Sequence, residues 1–556
     1  MADAHRVQDL LDQAVRAHPA AIAVRDRHGA WDYTALDRAA HRAAAWLRGR
    51  GVAPGDRVAV RLGNVREFVA LLFGTLRAGA VFVPVNPAMK EFHVRSVLAD
   101  CAPRIALTAS GEEHTVAPYA DCPVHPVTDL ALHGPEAEVP APEAEVPAPE
   151  AEVPAPEAEV PAPAGAVPAP AGAVPAPAGA VPAPAGEAPA PAGEAPGDAD
   201  DLALLIYTSG STSRPKAVMS PHRATVFAAR AIASRLGYRA DDVVLTAIPL
   251  AFDYGLYQIF LSALAGAELV LTDADAHTGL MATLHQHGVT VMPLVPSLAE
   301  MLVRLAARDR RGPAALRLVT NTGADLTPPL IAAVRGAFPS ARVVPMFGIT
   351  ECKRVTILEP DGDLARPRSV GRPLPGTEVL ILDERGRPQP PGAAGEIVVR
   401  GPHVMAGYWR APELSAQRFR TDPATGDRVL HTGDYGHLDE DGHLYFHGRR
   451  DDMFKRRGVR MSALEIEAAA LDIPGVSGAA VLPPGEGREL TLFAVSALEP
   501  KEIIARLGER LEAAKVPPHC RLLDRLPLTA NGKTDKNALA SLLERAVQGE
   551  QLTVAA

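Results

Sequence analysis

The sequence predicts an α/β fold, with a large N-terminal domain of layered α/β subdomains and a small α+β C-terminal domain. Three observations carry that expectation. Short β-branched runs at 57–60 and 80–85 alternate with amphipathic stretches such as 67–77, the strand-helix-strand signature of parallel layers. The chain has 556 residues, well beyond the roughly 100–200 of one domain. Near Arg449 the texture changes from a strand-turn-strand pattern at 439–447 to the charged string RRDDMFKRRGVR. The expected division is therefore 1–450 and 451–556, with the boundary at Arg450–Asp451.

Taken in order, the alternation runs to about residue 130 and resumes with an apolar strand at 202–206. It continues through VVLTAIPL, an apolar helical run ending at Ala265, and the strand AELVLT. Beyond the boundary a helix is expected at 462–471, strands at 479–481 and 490–495, and a helix from Lys501. Between the two stretches of alternation, from Pro135 to Gly197, a seven-residue unit recurs about nine times as PEAEVPA, PAGAVPA and PAGEAPA. Two prolines per unit remove backbone donors and forbid a coiled coil despite the heptad period. Alanine and valine alone bury too little surface to offset ordering entropy, so 135–197 is expected to be a disordered, partly polyproline insertion.

Composition narrows the function classes. Hydrophobic residues are 47% and charged residues 22% of the chain, with a formal charge of −10. The mean field would repel nucleic acid and anionic membranes. The N-terminus lacks an apolar h-region, and no run of about 18 apolar residues occurs. Cys101, Cys122, Cys352 and Cys520 are scattered without a CxxC pair, which fits a reducing cytoplasm rather than a disulfide framework or thiolate zinc site.

The segment with the most chemistry is YTSGSTSRPK, from Tyr207 to Lys216. Its small residues expose backbone N–H groups, and the hydroxyls of Thr208, Ser209, Ser211 and Thr212 flank Gly210 as further donors to phosphate oxygens. Lys216 adds a charge for the same polyphosphate. The GxxxxGK[ST] spacing of a Walker A loop is absent.

This segment resembles the YTSGSTGxPKG loop of the adenylate-forming superfamily, which holds acyl-CoA synthetases, amino-acid adenylation domains and firefly luciferase. Ser213 and Ala217 stand where that family has glycine, a change that stiffens a loop without removing a ligand group. Five further segments follow in family order. Asn321-Thr-Gly-Ala324 resembles the adenine-facing turn, placing Gly323 and Ala324 at the base. Met346-Phe-Gly-Ile-Thr-Glu351 resembles YGxTE, which implies that Phe347 stacks on adenine beside Gly348, Thr350 meets the α-phosphate and Glu351 holds Mg²⁺. His431-Thr-Gly-Asp434 resembles TGD, whose aspartate accepts from the ribose hydroxyls. Gly448-Arg449-Arg450-Asp451-Asp452 resembles the hinge motif, in which Arg449 contacts nucleotide, Asp451 is the pivot of a mobile small domain and Gly458 lies near the thiol path. Last, PLTANGKTDK resembles PLTxxGKxDK and makes Lys533 the catalytic lysine.

The resemblance implies a two-step ligase using ATP and Mg²⁺. A carboxylate forms acyl-AMP with release of pyrophosphate, and a thiol then displaces AMP. For the acid, Phe252-Asp253 matches the pair that sets an aspartate against a substrate ammonium in amino-acid adenylation domains, and a buried ammonium needs such a partner. This favours an aminoacyl-AMP passed to the phosphopantetheine of a carrier protein, as in stand-alone amino-acid ligases, because the chain stops soon after Lys533. The alternatives are an acyl- or aryl-CoA ligase, for which Cys352-Lys353-Arg354 favours an anionic feature in acid or acceptor, and an ATP-binding pseudoenzyme or scaffold. If the repeat is a tolerated insertion, deleting 135–197 leaves acid-dependent exchange of pyrophosphate into ATP intact; loss of exchange in a folded deletion variant would give the repeat a catalytic or assembly role.

Overall fold

The structure is a computed structural model that describes residues 4–89, 91–132, 197–208, 216–272, 279–311, 314–422, 425–449, 453–456, 459–485, 488–511, 515–529 and 534–547. Nearly all of the repeat, 135–196, lies outside the described residues, as does the expected boundary at Arg450–Asp451.

Two largely parallel sheets form the core of the large domain. In the nine-stranded sheet, Arg342–Phe347, Leu318–Asn321, Val291–Leu294, Val243–Thr246, Glu268–Leu271 and Ile22–Asp26 run parallel in that spatial order. Antiparallel strands close both edges. The seven-stranded sheet sets Leu202–Thr208 beside Val81–Pro84, Arg57–Arg61 and Ile105–Thr108, all parallel, and ends on antiparallel Lys216–Pro221 and Gly407–Tyr408. The predicted strands at 57–60, 80–85, 202–206 and 243–250 are all present within a few residues.

The helices between the sheets explain why their sequences are so apolar. Asp253–Ala265 buries Asp253 through Ala263, and Arg66–Arg77 buries nearly every residue including both terminal arginines. The 67–77 stretch reads as amphipathic, yet it packs on all sides. Arg77 reaches Asp12 and Asp37, and Arg66 lies near Asp26. Charges taken from water at a helix end are tolerated because partners from other elements meet them there.

One layer is not apparent from the sequence. Glu378–Leu382, Gly395–Arg400, Phe419–Thr421, Arg428–Leu438 and Leu444–Arg449 form a five-stranded antiparallel sheet, of which the sequence shows only the strand-turn-strand pattern at 439–447. The smaller unit has the expected helices and two strands, and the strand His519–Leu522 is an addition to them. Its three-stranded sheet, Val476–Leu482, Thr491–Ser496 and His519–Leu522, packs against Ala463–Leu471 and Pro500–Gly508. The charged string, at which the sequence shows a change of texture, forms the backbone hairpin Met453–Arg456 with Val459–Ser462. No helix among the described residues is long and apolar enough to cross a membrane, and the four cysteines are free.

His403, in the connection 401–406, is fully buried against Phe227, and neither ring nitrogen has a hydrogen-bond partner among the described residues. Burial lowers its pKa to about 4. The unfolded chain, with an ordinary histidine near 6.5, therefore binds the extra proton between pH 6.5 and 4, so stability falls as pH drops through that window. His403→Leu is expected to gain about 2 kcal/mol on the wild type between pH 7.5 and 5, measured by denaturant unfolding at each pH.

Candidate active site

The candidate site lies at the carboxyl ends of the parallel strands, where open α/β sheets place their ligands. Leu294, Asn321 and Pro345 are level across three neighbouring strands, and Asn321 Nδ2 donates to the Leu294 carbonyl at 3.2 Å. Gly323, in the predicted adenine turn with Ala324, has φ +87°, a left-handed conformation that side chains resist.

The phosphate segment is a hairpin connection. Leu202–Thr208 pairs antiparallel with Lys216–Pro221, Thr208 lies opposite Lys216, and the tip at 209–215 is outside the described residues, with Ser209, Gly210, Ser211 and Thr212. Ala217 sits in the regular ladder opposite Tyr207, buried, with no left-handed backbone. Alanine in place of glycine imposes no backbone strain there.

The turn 348–354 carries the densest chemistry. A Cβ on Gly348 would lie 2.1 Å from the Lys353 carbonyl oxygen, so only glycine permits this closure. Lys353 takes φ +67° and donates its N–H to the Ile349 carbonyl at 2.7 Å. Thr350 and Glu351 are half-buried on the turn. Glu351 Oε1 accepts from the Tyr408 hydroxyl at 2.6 Å, and its carbonyl accepts from Met405 N–H at 2.9 Å. Lys216 Nζ is 5.9 Å from the centre of the same Tyr408 ring. Phe347 is stacked on Phe446, 5.1 Å between centroids.

Asp434 and Arg449 were separate motifs in the sequence. The register of the five-stranded sheet sets them directly opposite, with Arg449 Nε 3.3 Å from Asp434 Oδ1. Asp434 is buried and Arg449 is 58% exposed by side chain, so the guanidinium can swing to a bound nucleotide.

Asp253 opens the helix after Phe252 and meets both cations of the turn. Lys353 Nζ lies 3.0 Å from Oδ1, and Arg354 Nη1 3.3 Å from Oδ2. Lys353 is wholly buried, donates to Ser220 Oγ at 3.2 Å and lies over the Tyr257 ring; Arg354 lies over Tyr254. Burial drives both tyrosine phenols well above their ordinary range, so they remain neutral. Among the described residues two cations share this one carboxylate, a buried excess of one positive charge. Asn64 holds the approach to this helix, donating to the Ile248 carbonyl and accepting from Leu250 N–H.

Asp451, Gly458 and Lys533 fall outside the described residues. Phe446, Tyr408, Ser220, Tyr254, Tyr257 and Asn64 escaped the sequence reading. Each lies far in the chain from the group it touches, and even Tyr254, next to Asp253, meets Arg354 only through the fold.

The sequence model of AMP-binding enzymes matches residues 11–409, and that of the AMP-binding enzyme C-terminal domain matches 465–533. The chain belongs to the family of AMP-binding enzymes. It is 30% identical over 545 residues to AMB antimetabolite synthetase AmbB of Pseudomonas aeruginosa, a match covering 95% of this chain and 38% of that protein. The curated relatives it matches are longer; the chain spans 14% of surfactin synthase subunit 2 of Bacillus subtilis. Among solved structures, VinN is 43% identical with a TM-score of 0.64, covering 80% of this chain and 98% of VinN, which has also been solved with L-aspartate and with 3-methylaspartate. O-succinylbenzoate coenzyme A synthetase (MenE) of B. subtilis, in complex with AMP, is 25% identical with a TM-score of 0.75, covering 95% and 97%. This family member is an adenylate-forming ligase: it binds ATP and adenylates a carboxylic or amino acid.

Removing Asp253 leaves Lys353 and Arg354 as uncompensated buried charge. Asp253→Ala is expected to cost about 3–5 kcal/mol, and Lys353→Met in the same chain to recover part of it, read from denaturant midpoints.

Proposed function

We propose that the acid is an amino dicarboxylic acid, activated as an aminoacyl adenylate and passed to the phosphopantetheine thiol of a carrier protein. The observation that carries this is the buried set Asp253, Lys353 and Arg354. A carboxylate beside the acid's ammonium and a guanidinium with charge to spare suit a substrate that brings both an amine and a second carboxylate. VinN, with its aspartate and 3-methylaspartate complexes, supports the same substrate class. Resemblance to assembly-line synthetases supports the carrier protein.

In the first step the substrate's reacting carboxylate oxygen attacks the α-phosphorus of ATP, and pyrophosphate leaves. The loop at 208–212 and Lys216 hold the phosphates. Thr350 meets the α-phosphate, and Asp434 and Arg449 hold the ribose and its nucleotide. Phe347 faces adenine at Gly323–Ala324. Glu351 offers a carboxylate of the kind a hard cation takes; bound there with the phosphates, Mg²⁺ would neutralise charge on the leaving pyrophosphate. Lys533 bridges the carboxylate and phosphate oxygens as the new bond forms. In the second step the small domain turns at Asp451, Lys533 withdraws, and a thiolate led past Gly458 attacks the acyl carbon, releasing AMP.

Acid-dependent exchange of labelled pyrophosphate into ATP tests this reading. Aspartate-like acids are expected to support exchange, and Lys533→Ala to lower it by about 10²–10³-fold. Arg354→Met should lower exchange with the dicarboxylic acids by about 10²-fold while sparing any weak exchange with amino acids lacking the second carboxylate. Exchange only with acids lacking an amine would favour the CoA-ligase reading, and none with any acid the pseudoenzyme.

A further inference from the structure

The connection 401–409 returns from the antiparallel sheet to the phosphate hairpin and binds it at three points. Ala406 N–H donates to the Met219 carbonyl, Trp409 N–H donates to the Ala217 carbonyl, and Gly407–Tyr408 pairs with Met219 and Val218. On its other side Met405 N–H donates to the Glu351 carbonyl. Tyr408 therefore sits where the phosphate strand and the glutamate turn meet, and its ring is fixed. It packs with Val218, Ala224 and Met405, and edge-on to Phe419 at 5.4 Å.

The hydroxyl of this fixed ring donates to Glu351 Oε1 at 2.6 Å. A phenol carries the only proton of this pair, because an ionised carboxylate is an acceptor alone, so the tyrosine oxygen is the donor. A carboxylate with one oxygen tied to a rigid donor has its plane fixed and its other oxygen available. Beneath the ring, Lys216 Nζ at 5.9 Å couples the same tyrosine to the phosphate side.

We infer that Tyr408 is a positioning residue for the metal step: its hydroxyl orients the Glu351 carboxylate to receive the Mg²⁺ that arrives with ATP. This rests on the reading of Glu351 as the metal carboxylate given above. Hydrogen-bond partners of metal ligands typically cost 10–100-fold in metal affinity when removed.

The test is calorimetric binding of the non-reacting analogue α,β-methylene-ATP to the full chain, in EDTA and across a Mg²⁺ titration. Tyr408→Phe keeps the ring, and with it the contact to Lys216, and removes the donor. It is expected to bind the nucleotide in EDTA as the wild type does, while the Mg²⁺ concentration for half-maximal enhancement rises about 10–100-fold. On a Glu351→Gln background Tyr408→Phe should add nothing further. An unchanged Mg²⁺ requirement, an equal loss in EDTA, or an additive effect on the Glu351→Gln background would each overturn the inference. Mg²⁺ enhancement that survives Glu351→Gln alone would instead overturn the metal role of Glu351, and this inference with it.

Discussion

The closure of the turn between Gly348 and Arg354 is the constraint on which the site depends. With no Cβ at Gly348 and a left-handed Lys353, four consecutive residues face two different tasks. Glu351 points toward the phosphate hairpin and Tyr408, whereas Lys353 and Arg354 point toward Asp253. A wider turn would separate the phosphate and acid groups by several ångströms, and positional errors of that size are costly in catalysis. The strain of one non-glycine residue at positive φ, on the order of 1–3 kcal/mol, is offset by the ion pair and hydrogen bond its side chain makes.

The acid side is electrostatically distinct from the rest of the core. Elsewhere, buried arginines meet their own carboxylates, as Arg77 does with Asp12 and Asp37. Around Asp253 the charges do not cancel. The tyrosines beneath Lys353 and Arg354 stay neutral, and their ring faces attract cations without neutralising them. The excess positive charge is thus retained in a region of low dielectric, where its interaction with any anion is strongest. The cross-strand pair differs: Asp434 is buried, yet its partner Arg449 is largely exposed.

Much of this was legible in one dimension, for reasons that can be named. Parallel strands buried on both faces read as short β-branched runs, and that is why 57–60, 80–85 and 243–246 stood out. Motif residues such as Glu351 and Asp434 are recognisable because they stand in short strings whose residues and order resemble the family's. The five-stranded antiparallel sheet was less visible, since half-exposed strands with irregular register carry weak alternation. The helix at 66–77 read as amphipathic although it is enclosed, because its two arginines look like a solvent face until their partners, distant in the chain, are brought alongside.

The sequence by itself determined the layered α/β class, the family resemblance and the order of its motif segments, and it singled out Asp253 as a candidate. These depend on local periodicity and on residue chemistry at short spacing. Only the tertiary structure decided that Asp253 shares its charge with Lys353 and Arg354, that Asp434 and Arg449 are cross-strand partners, and that Tyr408 holds Glu351. Each of those contacts joins residues up to about a hundred positions apart through sheet register or a tight turn. Register and turn closure are set by packing the whole domain at once, so no window of the sequence contains them.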